Sequence, residues 1–214
     1  ADLEPNVGSY VVAISACEVG RKWKHALSLF RELPVVKLPP DASSYNAAMS
    51  ACEKEGQWEW TLLLLGELQR AILEPDAISY DVAFSACGAC GKWQHVLSLM
   101  VELRRVSMGP SVLCYSAAVS AYQRGGQWQH MLSLLAGMSE ASLEPDLITY
   151  SAAISTCGHA AKWQDALSLS NELGQATLEL DIASFTAVVG ACEKGRQTER
   201  AASLRCDMGQ SGLK

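Results

Sequence analysis

Residues 45–76 read YNAAMSACEKEGQWEWTLLLLGELQRAILEPD. Tyr45, Ala48, Met49 and Cys52 fall at i, i+3, i+4 and i+7, one face of a helix. Glu55-Gly56 interrupts that stretch. Trp58, Thr61, Leu62, Leu65 and Leu68 then lay a second amphipathic stripe, closed by Pro75. No alternation of period two competes with this pattern, so the stretch predicts two helices and a turn. Opposite the first stripe lie Ser43, Asn46, Ser50, Glu53 and Lys54, facing away from the core at about 100° per residue.

The same pattern repeats along the whole chain. An aromatic recurs every 35 residues at Tyr10, Tyr45, Tyr80, Tyr115, Tyr150 and Phe185. Trp23, Trp58, Trp93, Trp128 and Trp163 keep that step until Thr198 breaks it, and Leu29, Leu64, Leu99, Leu134, Leu169 and Leu204 keep it throughout. Pro5, Pro40, Pro75, Pro110 and Pro145 keep it until Leu180. The repeats are therefore expected at 7–41, 42–76, 77–111, 112–146, 147–181 and a shortened 182–214. Residues 1–6, ADLEPN, match the unit ends AILEPD at 71–76 and SLEPD at 142–146, which predicts the tail of a preceding repeat. Each helix pair is too small to bury its own apolar face, so stacking must complete the core. The expected fold is all-α, an α-solenoid with an extended concave side. Small residues beside the stripe (Ala47, Ala51, Ala117 and Ala121) would let neighbouring first helices approach closely.

Composition narrows the function. The 214 residues are 49% hydrophobic and 19% charged, a folded chain rather than a disordered tail. The 17 Lys and Arg against 23 Asp and Glu leave a net charge of −6, which argues against gripping nucleic acid by charge alone. No apolar run reaches the roughly 18 residues that span a bilayer, and no targeting segment is read at Ala1. Five of the eight cysteines (Cys17, Cys52, Cys87, Cys157 and Cys192) copy one core position a whole repeat apart, too far to chelate together. Cys87-Gly-Ala-Cys90 matches C-x-x-C, but Cys87 belongs to the periodic column. His25, His95 and His130 share a helix-two position and are read as solvated surface. No metal site, cofactor site or catalytic set is expected, and the chain is not read as an enzyme. Reduced core thiols suit a reducing compartment.

A helix–turn–helix unit of uniform 35-residue length, with YNAAMSACEKEGQW…LLLLGELQRAILEPD and YSAAISTCGHAAKWQDALSLSNEL as its motifs, resembles the pentatricopeptide repeat family, in its plain class. The resemblance runs over the whole chain. It implies a right-handed superhelix that binds single-stranded RNA, one base per repeat, in organellar RNA processing, stability or translation. The setting so implied is a mitochondrion or chloroplast. The tryptophan opening helix two departs from the family's commoner aliphatic residue and is read as packing in the core stripe. On that reading, changing Trp58, Trp93 or Trp128 to Ala should cost about 3–5 kcal/mol.

The resemblance further implies that the residue after each aromatic pairs with the residue after each proline to read a base. The first set is Val11, Asn46, Asp81, Ser116, Ser151 and Thr186, and the second is Asp41, Asp76, Ser111, Asp146 and Asp181. Asn46/Asp76 would prefer U, Ser116/Asp146 and Ser151/Asp181 would prefer G, and Thr186 a purine. Val11/Asp41 and Asp81/Ser111 match no well-used combination, so the implied target is 5′-N-U-N-G-G-purine-3′. Ile78, Leu113 and Ile148 would sandwich bases, whereas Gly8, Ser43 and Ala183 depart from that aliphatic pattern. Lys54, Arg124 and Lys194, with His159 in the same column, would meet phosphates, against repulsion from Glu18, Glu53 and Glu193.

A purely structural account stands beside this one. Asn6, Asp41, Asp76, Ser111, Asp146 and Asp181 all precede a first helix and are good N-caps. Cations near a helix C-terminus favour its dipole whatever else they do. The post-aromatic residues, inside the helix and mediocre helix formers, have no such excuse. The partner expected is single-stranded RNA, with protein partners admitted; no membrane and no small-molecule substrate are expected. The alternative is a protein-interaction scaffold that uses the concave groove for a peptide or partner helix.

Overall fold

The computed structural model describes residues 5–175 and 181–210. Among them the chain is all-α, with twelve helices and no strand. They run in order as α1 (Val7–Val19), α2 (Trp23–Glu32), α3 (Ala42–Glu53), α4 (Trp58–Arg70), α5 (Ala77–Ala89) and α6 (Trp93–Arg105), then α7 (Val112–Gly125), α8 (Trp128–Glu140), α9 (Leu147–His159), α10 (Trp163–Gln175), α11 (Ile182–Lys194) and α12 (Thr198–Gln210). The chain divides into two compact units, Ala1–Ala117 and Ala118–Lys214, with the boundary inside α7. Residues 1–4 of the leading stub, and Leu180, where the proline column ends, lie outside the described residues.

Each odd-numbered helix starts on a polar side chain that accepts from the backbone N–H three residues on. Asp41, Asp76, Asp146 and Asp181 do so at 2.8–2.9 Å, Asn6 at 2.9 Å and Ser111 at 3.1 Å. The cap satisfies one of the donors that a helix start leaves orphaned. At α3 and α5 the box closes reciprocally, because Ser44 and Ser79 accept from the backbone N–H of Asp41 and Asp76.

The turn after each first helix uses one device. After each first helix the backbone crosses into the left-handed region at Arg21, Gly56, Gly91, Gly126, Ala161 and Arg196, with φ between 52° and 67°. The next N–H then returns to the carbonyl five residues back. Lys22 bonds Cys17, Gln57 bonds Cys52, Lys92 bonds Cys87, Gln127 bonds Tyr122, Lys162 bonds Cys157 and Gln197 bonds Cys192, all at 2.8–2.9 Å. The cysteine column thus supplies the carbonyl that ends the helix and, at Cys52, Cys87, Cys157 and Cys192, a buried apolar side chain. Burial pushes the Cys52 and Cys87 thiols up to about 12 and Cys157 up to about 11, so they are inert thiols at neutral pH. All eight cysteines are free, and among the described residues no His, Cys, Asp and Glu group gathers to hold a metal ion.

The core of unit one holds Tyr45, Ala48, Met49 and Cys52 from α3 with Leu64, Leu65 and Leu68 from α4. α3, α5 and α7 stack on small residues. A Cβ on Gly88 would sit 2.6 Å from the Ala117 carbonyl oxygen and 2.9 Å from its Cα, so α5 and α7 meet backbone to backbone with no room for a methyl group. In unit two a Cβ on Gly158 would likewise sit 2.7 Å from the Ala187 carbonyl oxygen. Where the same column carries glutamate, a hydrogen bond replaces the close approach. Glu18 accepts from Ser50 at 2.8 Å and Glu53 from Ser85 at 2.7 Å, each in the following repeat.

The tryptophans pack, but in a different place from the one the helical stripe suggests. Trp58 and Trp128 are only half-buried and lie at the seam with the next repeat. Lys92 sits over the Trp58 ring at 4.7 Å and Lys162 over Trp128 at 4.6 Å. Gln57 and Gln127, at the lysines' position in the alternate repeats, bond back to Glu55 and Gly125 carbonyls of their own turns. His95 is not solvated surface either, since its ring stacks at 4.9 Å on Trp58, and His130 lies 5.7 Å from Tyr122. Only His25 of that column is exposed. The stripe reading failed here because the helix-two N-terminus projects past its own repeat onto the next.

Three stability changes follow, each read by urea or thermal unfolding. Gly126 has φ 64° and nothing within 4 Å of an added Cβ, so Gly126→Ala should cost about 1 kcal/mol from backbone strain alone. Ala161, at φ 57°, is the mirror case, and Ala161→Gly should gain about 0.5–1 kcal/mol. Trp58→Ala should cost about 2 kcal/mol, less than a fully buried tryptophan, because one face is shared with Lys92 and solvent.

Candidate nucleic-acid interface

The residues that the repeat pattern singles out stand at the starts of the odd-numbered helices, and they are not alike in what they offer. In unit one, Asn46 Nδ2 donates to Asp76 Oδ1 at 3.1 Å and Oδ2 at 3.3 Å. The Ser79 hydroxyl lies 2.7 Å from Asn46 Oδ1 and 2.8 Å from Asp76 Oδ1, and its single proton serves one at a time. Burial alone would raise the Asp76 carboxyl, but the Ser79 N–H and hydroxyl and the Asn46 amide hold it below the usual carboxylate value. This carboxylate is therefore ionised and acceptor-only at neutral pH.

Asp81 and Ser111 also meet. The Ser111 hydroxyl donates to Asp81 Oδ1 at 2.5 Å, and the Cys114 thiol lies 3.2 Å from the same oxygen. Val11 has no polar group to bring to Asp41, which is occupied as a cap for α3. The Ser116 hydroxyl turns back to the Val112 carbonyl at 3.0 Å, and Thr186 does the same to Ile182 at 2.7 Å, each four residues earlier in its own helix.

In unit two the Ser151 hydroxyl is buried and makes no hydrogen bond within the protein. It lines a cleft of about 320 Å³ together with Ile148, Asp181 and Ser184. Ser184 carries a second buried hydroxyl without a protein partner. Sequence reasoning missed Ser184, although a hydroxyl three residues after the cap recurs at Ser44, Ser79 and Thr149 and was there to be read. A neighbouring cleft of about 290 Å³ shares Ser155 and Ala183 and is lined by His159 and Lys194, the latter 3.5 Å from the Gly158 carbonyl.

Ile78, Leu113 and Ile148 are 59%, 63% and 76% exposed, high for large aliphatic side chains on ordered helices. Lys54 is exposed but pairs with Glu53 at 3.2 Å. Arg124 and Lys194 are exposed at the ends of α7 and α11. The acidic neighbours do not all face outward as free charges. Glu18 and Glu53 accept inter-repeat hydrogen bonds, and Glu193 is paired with Arg205.

Comparison with family models matches the pentatricopeptide repeat domain over residues 1–55 and 98–160, and the single PPR repeat over 43–71 and 183–213. A comparison with curated proteins finds no match. Among solved structures, the pentatricopeptide repeat protein PPR10 from maize superposes with a TM-score of 0.72 at 23% identity, covering 98% of this chain and 30% of that one. PPR10 in complex with an 18-nt psaJ RNA element gives 0.60 at 20% identity, with 100% and 35% coverage. The PPR domain of Arabidopsis thaliana protein-only RNase P 1, in complex with tRNA, gives 0.66 at 11% identity, covering 78% of this chain and 88% of that domain. The chain thus spans about a third of the length of the PPR10 structures. Repeat pattern, helix architecture and family models agree, and the chain belongs to the pentatricopeptide repeat family.

Proposed function

We propose that this chain is a sequence-selective array for single-stranded RNA, reading one base per repeat and carrying no chemistry of its own. The observation that carries the reading is the cleft of unit two. Burying a hydroxyl without a partner is costly, and Ser151 and Ser184 both do so on the wall of one cleft. Rotation of the Ser151 side chain toward the cleft would bring its hydroxyl to the edge of a bound base, with the Asp181 carboxylate accepting from an imino N–H and the exposed Ile148 covering one ring face. The adjoining cleft, with His159 and Lys194 on its wall, suits the phosphate that follows. PPR10 and the RNase P 1 domain, both crystallised with RNA, lend the fold-level support.

The repeat pairs then propose the target 5′-N-U-N-G-G-purine-3′. Asn46/Asp76 reads U, Ser116/Asp146 and Ser151/Asp181 read G, and Thr186 a purine. The setting we propose is a mitochondrion or chloroplast, in RNA processing, stability or translation. The net charge of −6 makes base contacts and stacking, rather than bulk attraction, the main source of affinity.

Two measurements test this. Binding of a matched RNA should weaken steeply with salt, because each phosphate contact releases counterions; a groove for an apolar peptide would be nearly indifferent. Asp181→Asn exchanges an acceptor-only carboxylate for an amide that also donates, so the preferred base at the fifth step should move from G toward A. As Asn caps a helix about as well as Asp, a residue that only caps would leave binding selections unchanged and end the reading.

A further inference from the structure

The third repeat combines a carboxylate inside the helix with a serine at the following cap, and its hydrogen bonds fix what that pair offers. Ser111 gives its only hydroxyl proton to Asp81 Oδ1, and one of its oxygen lone pairs accepts the Cys114 backbone N–H at 3.1 Å. One lone pair on Ser111 Oγ remains. Asp81 Oδ1 takes the Ser111 hydroxyl and the Cys114 thiol, while Oδ2 accepts nothing from the protein among the described residues. Both atoms left for a ligand are acceptors, and they stand side by side across α5 and α7.

Two exposed aliphatic side chains flank this pair in the chain. Ile78 precedes Asp81 by three residues, hence on the same helical face, and is 59% exposed. Leu113, two residues after Ser111, is 63% exposed. A flat ring between two exposed aliphatic side chains would bury them, and its edge would then meet the two acceptors.

We propose that Asp81 and Ser111 form a guanine-reading step, taking the N1–H on Asp81 Oδ2 and the N2 amino group on Ser111 Oγ, with the ring held between Ile78 and Leu113. Among the four RNA bases, guanine alone has two adjacent donors on its Watson–Crick edge. Adenine and cytosine each set an acceptor nitrogen beside their amino group, and uracil flanks its single N–H with carbonyls. An acceptor facing an acceptor leaves both unpaired, which is where discrimination arises. The inference rests on the RNA reading above and sharpens its target to 5′-N-U-G-G-G-purine-3′.

The test uses the 214-residue chain and four short single-stranded RNAs that differ only at the third step, with U kept at the second. The G form should bind about tenfold more tightly than the A form, the discrimination expected of a paired two-bond contact. Asp81→Asn should abolish that ratio while the preference for U at the second step persists, which also reports that the variant is folded. Ser111→Ala should lower the ratio without abolishing it. Equal binding of all four RNAs, or a preference for A, with U still read at the second step, would overturn the guanine step and leave the RNA reading standing. No binding to any of the four would overturn both.

Discussion

The close approach of consecutive first helices is the constraint from which the rest of this architecture follows. At Gly88 against Ala117, and at Gly158 against Ala187, the separation leaves no space for one added methyl group. Helices that close must be matched in direction and register, so every repeat has to leave its first helix at the same angle. The left-handed turns after the first helices do that, each closed by a backbone bond to the carbonyl five residues back. With angle and spacing set, two post-aromatic side chains of unit one fall opposite the cap of the next first helix. Asn46 with Asp76 and Asp81 with Ser111 meet for that reason.

Much of this was legible in the sequence, and the limits were physical. A step of 35 residues without insertion or deletion can only come from stacked identical units, and the two amphipathic stripes gave two helices in each. The cap column was legible because Asp, Asn and Ser before an apolar stripe have a local chemical meaning. The histidine and tryptophan columns were misplaced because a helical wheel knows only its own helix. Trp58 and His95 are partners across repeats, a relation set by stacking geometry. The hydrogen-bonding state of each post-aromatic residue was equally hidden. Ser116, Ser151 and Thr186 look interchangeable in sequence, yet Ser116 and Thr186 spend their protons on their own helices and Ser151 does not.

The cap aspartates hold more acceptor capacity than their caps use. A carboxylate that accepts a backbone N–H keeps lone pairs to spare, so capping fixes its position without exhausting its capacity. Holding Asp76 below the usual carboxylate value also keeps it charged, and hence incapable of donating. A cap is thus a rigid mount for an acceptor.

Lysine and glutamine alternate at one turn position: Lys22, Gln57, Lys92, Gln127, Lys162 and Gln197. Lys92 and Lys162 reach to the tryptophan of the preceding repeat, whereas Gln57 and Gln127 close their own turns. The chemical period of the array is therefore two repeats, although its geometric period is one. A duplication or excision of 70 residues would splice like to like, while one of 35 would set two turns of the same kind side by side. Lineages of such arrays should thus grow and shrink in pairs, and grafts between them should join most quietly at even distances.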